Sequence, residues 1–402
     1  MRITEKWIFI VSTMVLVAYA CLRTVRYEFD SRNAALILAY SLLVLFFSYA
    51  KGHISLAYIQ KLALYTVSIS LMYQVLTTPP NTPFPFLSYM ILMTVSFMPV
   101  LLFEALCRRN DAYEQRIVAI LCMGVLMYLY ANTLSKAQND ANIVHAITKT
   151  NYSSGSESAL NVATYDSSYA VPALVIMLIA IARVTKGWIY KLLYISASAV
   201  LLGVAITAQY TSIYFLTAIC ILALGIRKKN ATSVYIMVGL ICALPAIPAV
   251  LDFFIQRTES PNVVARLSEV SALLRYGDFS GYNLSARLRM YIQGIVAFLR
   301  SPFFGNRVLE VNPHSTFIQF AADIGIFGLL AYIALLRMAK DIVKRNLTPE
   351  QYEVFAVCYV SLIITGMINP IISNYATSFV VFMFVPLVLK LNYHPEKERI
   401  TR

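Results

Sequence analysis

Long apolar runs separated by short polar breaks dominate the chain. Twelve of them, each roughly 15 to 22 residues, are long enough to cross hydrocarbon as helices. They are Trp7–Cys21, Ala34–Ala50, Leu62–Leu76, Phe86–Leu106, Ile117–Ala131, Ala170–Val184, Ile189–Thr207, Ser212–Ile226, Ser233–Leu251, Thr316–Leu336, Val354–Ile372 and Tyr375–Leu389. The stretch from Ile189 to Ile226 is too long for one span, and the polar break Ala208-Gln209-Tyr210-Thr211 divides it. The first run also resembles a signal peptide, because Ala18-Tyr19-Ala20 has the small-residue spacing of a cleavage site. With eleven runs after it, it reads here as a span.

Composition agrees with this pattern. Hydrophobic residues are 59% of the 402 and charged residues 13%, about half the charged share of a soluble domain, roughly 25%. The expected fold class is an all-α polytopic membrane protein of about twelve transmembrane helices. The formal charge of +13 invites a nucleic-acid reading until its location is known. With the N-terminus placed inside, 21 of the 33 Lys and Arg fall in inner segments and 12 in outer ones. The excess then sets topology, both termini are expected in the cytoplasm, and nucleic acid is excluded as a partner. The six Cys lie in or at the ends of apolar runs without metal or redox spacing, so they read as packing residues.

Two outer segments exceed ordinary connections. Asn132–Tyr169 is polar, without sustained periodicity, and reads as a cover loop. In Asp252–Pro313, Val263, Leu267, Val270 and Leu274 repeat at helical spacing, as do Leu288, Ile292, Ile295 and Leu299. Short amphipathic helices on the membrane surface or over a cavity are expected there. The organisation is thus 1–251, nine spans with the polar outer loop 132–169; 252–315, a long extracytoplasmic loop; 316–389, three further spans; and 390–402, an inner tail.

All seven basic residues of the long loop are Arg: Arg257, Arg266, Arg275, Arg287, Arg289, Arg300 and Arg307. Guanidinium forks bind phosphate oxygens in pairs, whereas Lys acts as a point charge. The set suggests phosphate or diphosphate recognition; anchoring to lipid headgroups and pairing with Glu259, Glu269, Asp278 and Glu310 is the plainer alternative. His314 stands at the end of the loop, just before the tenth span, where a helix N-terminus favours an anion and a neutral imidazole is able to accept a proton. A solvated loop histidine is the plainer account of that position alone. Asp323 is expected inside the span, paired with a Tyr, Asn or Arg of a neighbouring helix or engaged in chemistry. Glu104 reads as an interfacial partner of Arg108.

The stretch from His314 to Gly328, with an acid nine residues after the His and glycines eleven and fourteen after it, resembles the C-terminal signature of the bacterial O-antigen ligase and polymerase family. Ser285-Ala286-Arg287-Leu288-Arg289-Met290-Tyr291 looks like the family's Arg-containing segment, and Ser301-Pro302-Phe303-Phe304-Gly305-Asn306 like its Ser-Pro-x-x-Gly turn. Two positions depart from the pattern. Ser315 replaces the Asn that usually follows the His, and Ala208-Gln209-Tyr210-Thr211 carries no cation where the family commonly has an Arg.

The resemblance implies a GT-C-like, metal-independent inverting glycosyltransferase of the bacterial inner membrane, without cofactors, acting on polyprenyl-diphosphate-linked sugars from the outer face. Arg287 and His314 would be catalytic, as diphosphate donor and general base. Arg289, Arg266, Arg300, Arg307, Ser315 and Tyr210 would bind substrate. Implied partners are the lipid-linked glycan donor and acceptor, the bilayer, and flippase and chain-length regulator proteins. A polymerase of O-antigen or capsule repeat units is favoured. A ligase transferring polymer to the lipid A core of lipopolysaccharide remains the alternative within the family, and a lipid-linked oligosaccharide transporter the alternative of another class.

Overall fold

The structure, a computed structural model, describes residues 2–22, 25, 34–77, 85–139, 165–207, 213, 216–221, 247–257, 261–277, 282–305, 315–369, 371 and 375–393. Among these, every regular element is helical. The helices are α1 (Arg2–Cys21), α2 (Ala34–Ala50), α3 (Leu56–Thr77), α4 (Pro85–Arg109), α5 (Ala112–Asn139), α6 (Tyr165–Ser168), α7 (Val171–Val184) and α8 (Trp188–Thr207). After them come α9 (Ile247–Arg257), α10 (Pro261–Tyr276), α11 (Tyr282–Arg300), α12 (Thr316–Asn346), α13 (Pro349–Ile368), α14 (Tyr375–Phe379) and α15 (Val385–Asn392), the last two joined by a π-helical turn over Val380–Phe384.

Seven helices among the described residues are long and apolar enough to cross a membrane, counting Tyr375–Asn392 (α14, the π-helical turn and α15) as one, and Ala35–Ala50 and Val171–Val184 are shorter apolar helices. The chain is therefore an all-α protein of the polytopic membrane kind. Two of the twelve expected spans, Ser212–Ile226 and Ser233–Leu251, lie mostly outside the described residues.

α4 forms the centre of the bundle. Its apolar stretch is 89% buried, against 17% for α8, and α1, α2, α3, α5, α12 and α14 all pack on it. Because α8 is apolar yet exposed, its Trp188, Ile189, Leu192 and Leu193 suit hydrocarbon and would be costly in water. Helix ends follow local chemistry. Thr348 and Gln351 form a reciprocal capping box with Pro349 at the first helical position of α13. Ser315 caps α12 by accepting from Ile318 N at 3.4 Å.

Several expected boundaries shift. α12 continues ten residues past the expected Leu336, carrying Arg337, Lys340, Lys344 and Arg345 beyond the apolar part of the helix. α5 runs to Asn139, into the expected cover loop, and α6 sits beside it, with Tyr130 OH donating to Ser167 O at 3.0 Å. Residues 140–164 lie outside the described set. α9 crosses the expected span-to-loop boundary at Leu251 without a break.

Charged groups gather at one end. Lys51 Nζ donates to Glu5 at 2.9 Å, Lys6 pairs with Asp111, and Arg109 pairs with Glu114 at 2.8 Å. Arg108 pairs with Glu104 at 2.8 Å, as expected, and Lys390 Nζ donates to Asn346 O at 3.0 Å. Arg345 lies over the Tyr58 ring, 5.6 Å from its centroid. The start of α1 and the α2–α3, α4–α5 and α12–α13 connections thus share one face of the bundle, joined by the end of α15. The sequence pattern assigns all of them to the same side.

Asp111 also caps α5, its Oδ1 accepting from Tyr113 N at 3.0 Å and Glu114 N at 3.2 Å. Lys6, aided by those N–H groups, holds the Asp111 carboxyl below the ordinary carboxylate range. A carboxyl depressed in the folded state stabilises fully above its unfolded value of about 4 and loses that contribution as pH falls through the folded value. Asp111→Asn should therefore flatten the acid limb of the melting-temperature profile below about pH 4, measured on the detergent-solubilised protein. Superimposable acid limbs for the two proteins would contradict the pairing.

Candidate functional site

The opposite end of the bundle holds the segments singled out by their residue pattern. α12 begins there and is broken at Gly325, which has φ 69 and ψ −167, a conformation almost confined to glycine. The break frees Ile326 N from the helix ladder, and Pro302 O takes it at 2.8 Å. The turn that supplies this carbonyl is Ser301–Gly305, closed by Gly305 N donating to Ser301 O at 2.8 Å, with Gly305 at φ 76.

Contact between turn and break is backbone against backbone. A Cβ on Gly305 would run into the Asp323 carbonyl and Ile324 N, and one on Gly325 into the Phe303 carbonyl and Phe304 N. Phe303 and Phe304 close over Phe327, with ring centroids 6.2 and 6.1 Å away. Gly328 is less constrained, since the atoms nearest a Cβ there belong to the side chain of Ile324 rather than to a facing backbone.

Asp323 lies just before the break and is buried. Tyr73 OH of α3 donates to its Oδ2 at 3.2 Å, so the structure gives it the tyrosine partner that was one of the expected alternatives. Beneath them Tyr73 stacks on Tyr89 at 3.5 Å, and Phe320 stacks on Tyr332 at 4.5 Å. An intramembrane acid is costly without such partners.

α11 lies against α12, and its two central arginines diverge. At about 100° per residue, Arg287 and Arg289 point roughly 160° apart. Arg289 and Arg300 are exposed and flank the apolar stripe of Leu288, Ile292 and Leu299, which is also turned away from the protein. Arg287 falls on the other side with Tyr291, buried Gly294 and buried Ala297, and is half-buried. Its guanidinium acts on the Tyr291 phenol, whose burial raises its pKa while Arg287 opposes the rise. Tyr291 OH donates to Ile368 O at the end of α13, at 3.2 Å. Among the described residues no carboxylate pairs with Arg287, Arg289 or Arg300, whereas Arg275 pairs with Asp252 and Arg257 lies over the Phe253 ring at 4.2 Å.

The start of α12 is tied to the end of α13. Ser315, 1% exposed, donates to Gly366 O at 3.4 Å besides capping its own helix. Thr316 N and Oγ1 both donate to Asn369 O, at 3.4 and 3.2 Å, and Thr316 Oγ1 accepts from Ile371 N at 2.7 Å. The Ser315 hydroxyl is thus engaged in positioning α12. Thr316 and Tyr291 lie within the segments that carry the resemblance, which assigns them no role; for Asn369 the sequence signal is Pro370, which disfavours a helical conformation in the residue before it. Among the other expected site residues, His314, Arg307 and Tyr210 lie outside the described set, as does the side chain of Arg266.

No group of three or more His, Cys, Asp or Glu with metal-binding proximity occurs among the described residues. No protein-family model matches the chain, and a search of curated proteins found no match.

Alanine substitutions test the backbone contact. Gly52 also has positive φ, 73, but open space around it, so Gly52→Ala should cost only the left-handed strain of about 1–2 kcal/mol. Gly305→Ala and Gly325→Ala add displacement of a facing backbone and should lower the melting temperature several-fold further. Equal shifts at all three positions would rule out the close approach.

Proposed function

We propose that the protein belongs to the O-antigen ligase and polymerase family. In this reading it joins polyprenyl-diphosphate-linked oligosaccharide repeat units into O-antigen, capsule or exopolysaccharide. It does so as a metal-independent inverting glycosyltransferase with about twelve GT-C-like spans. Both termini are cytoplasmic, and the end bearing Arg287 faces outward from the bacterial inner membrane. The supporting observation is convergence: the segments that carry the resemblance, α11, the Ser301–Gly305 turn and the start of α12, meet at one end of the bundle.

The chemistry of this reading is the one that the resemblance implies. An acceptor hydroxyl oxygen bonds to C1 of the donor sugar from the face opposite the diphosphate. The C1–O bond to diphosphate breaks, its electron pair staying on the diphosphate oxygen. His314, two residues before α12, takes the hydroxyl proton. Arg287, half-buried and turned toward the protein, offers charge-assisted hydrogen bonds to the leaving diphosphate, worth most where water is excluded. Exposed Arg289 and Arg300, beside an apolar stripe, suit the headgroup region flanking a lipid-linked substrate.

Purified protein supplied with lipid-linked repeat units in detergent, where transport has no meaning, should elongate them. Arg287→Ala and His314→Ala, inserted at normal levels, should each lower the rate about a hundredfold or more. Wild-type rates in both variants would exclude this assignment. Deletion in the parent cell should leave single repeat units on the core; lipid-linked polymer accumulating beside bare core would indicate a ligase.

A further inference from the structure

Asn369 ends α13 in an extended conformation, φ −146 and ψ 154, and its carbonyl receives both donors of Thr316. Asn369 is 3% exposed, and its carboxamide Nδ2 has no hydrogen-bond partner among the described residues. Buried amide groups are rarely left unpaired, and each that is calls for a ligand or a water. Among the described residues, the neighbouring hydroxyls are already engaged: Ser315 with Ile318 N and Gly366 O, Thr316 with Asn369 O and Ile371 N, and Tyr291 with Ile368 O. The unpaired donor therefore stands out in a densely wired corner.

Its surroundings are donor-rich. The N-terminus of the 31-residue α12 opens beside it, through Thr316. Ile368, its chain neighbour, holds the Tyr291 hydroxyl, and Arg287 acts on that same hydroxyl from one turn earlier in α11. Asp323, the acid of α12, already accepts from Tyr73. The missing partner of Asn369 is thus an oxygen acceptor, and an anionic one fits best. Ser315 stands where the resembled pattern has Asn, and its hydroxyl is used internally. Asn369 brings a carboxamide to the same turn from the neighbouring helix.

We propose that Asn369 is a substrate-binding residue whose Nδ2 donates to a diphosphate oxygen of the lipid-linked substrate, alongside Arg287. This rests on the reading of the protein as a polyprenyl-diphosphate-dependent glycosyltransferase. Asn369 supplies a neutral donor that fixes the diphosphate against the start of α12, and Arg287 supplies the charge.

The test uses the full-length protein in detergent, with farnesyl diphosphate as the probe and farnesol as the chain-only control, read as ligand-induced shifts in melting temperature. Farnesyl diphosphate should stabilise the wild type and farnesol should not. Asn369→Leu removes the unpaired donor at similar volume. It should fold with a melting temperature at or above wild type and bind farnesyl diphosphate at least about tenfold more weakly. Asn369→Asp, which keeps the shape and the acceptor but presents a carboxylate, should bind more weakly still. It also decides the matter if the leucine variant fails to fold. Wild-type affinity in the folded variants would overturn the role of Asn369 and leave the glycosyltransferase reading standing. A wild type that answers equally to farnesyl diphosphate and farnesol would overturn both.

Discussion

Two glycines allow two backbones to touch, and the end of the bundle that holds α11 and the start of α12 is arranged around that contact. Gly325 breaks α12 at a conformation other residues avoid, and Gly305 lets the Ser301–Gly305 turn enter the break. The turn directly follows α11, so seating it against Asp323–Gly325 fixes where α11 lies and which of its faces meets the bundle. Arg287 comes to the protein side and Arg289 to the outside. The helical segment before the break carries Asp323 to Tyr73 and Thr316 to Asn369. The close approach thus adds to the packing of α12 on α3 and α13 that holds these pairings.

The two ends of the bundle solve opposite electrostatic problems. At the cationic end, Lys and Arg find carboxylates, carbonyls or aromatic faces, which is how charge is tolerated near hydrocarbon. At the other end two donors lack such partners among the described residues: Arg287 has no carboxylate, and Asn369 Nδ2 has no acceptor of any kind. Such unpaired donors suit the anion that the proposed function calls for, and partial exclusion from water strengthens each of them.

Much of the bundle was legible in hydropathy. Ala34–Ala50 emerges with both bounds as expected, because apolar length decides where a helix enters and leaves the bilayer. Hydropathy stops at Leu336, whereas α12 continues to Asn346, since its backbone hydrogen bonds persist beyond the apolar part. The spacing of Leu288, Ile292, Ile295 and Leu299 identified α11. That same periodicity separates Arg289, beside the stripe, from Arg287, so their unequal exposure was also within reach. The importance of Asn369 was not. It depends on pairing with Thr316, 53 residues away, and on an unpaired amide, neither of which leaves a mark on local sequence. The glycines at 305 and 325 were visible as a pattern; only the packing explains why a side chain is forbidden there.

The seating of the turn in the break is most directly tested by photo-crosslinking. A benzophenone amino acid at position 303 of the full-length protein, in native membranes, lies beside the Phe327 ring. Irradiation followed by peptide mapping should recover crosslinks to the stretch around Ile324–Phe327. Capture of lipid alone, or of helices other than α12, would contradict the arrangement on which the site depends.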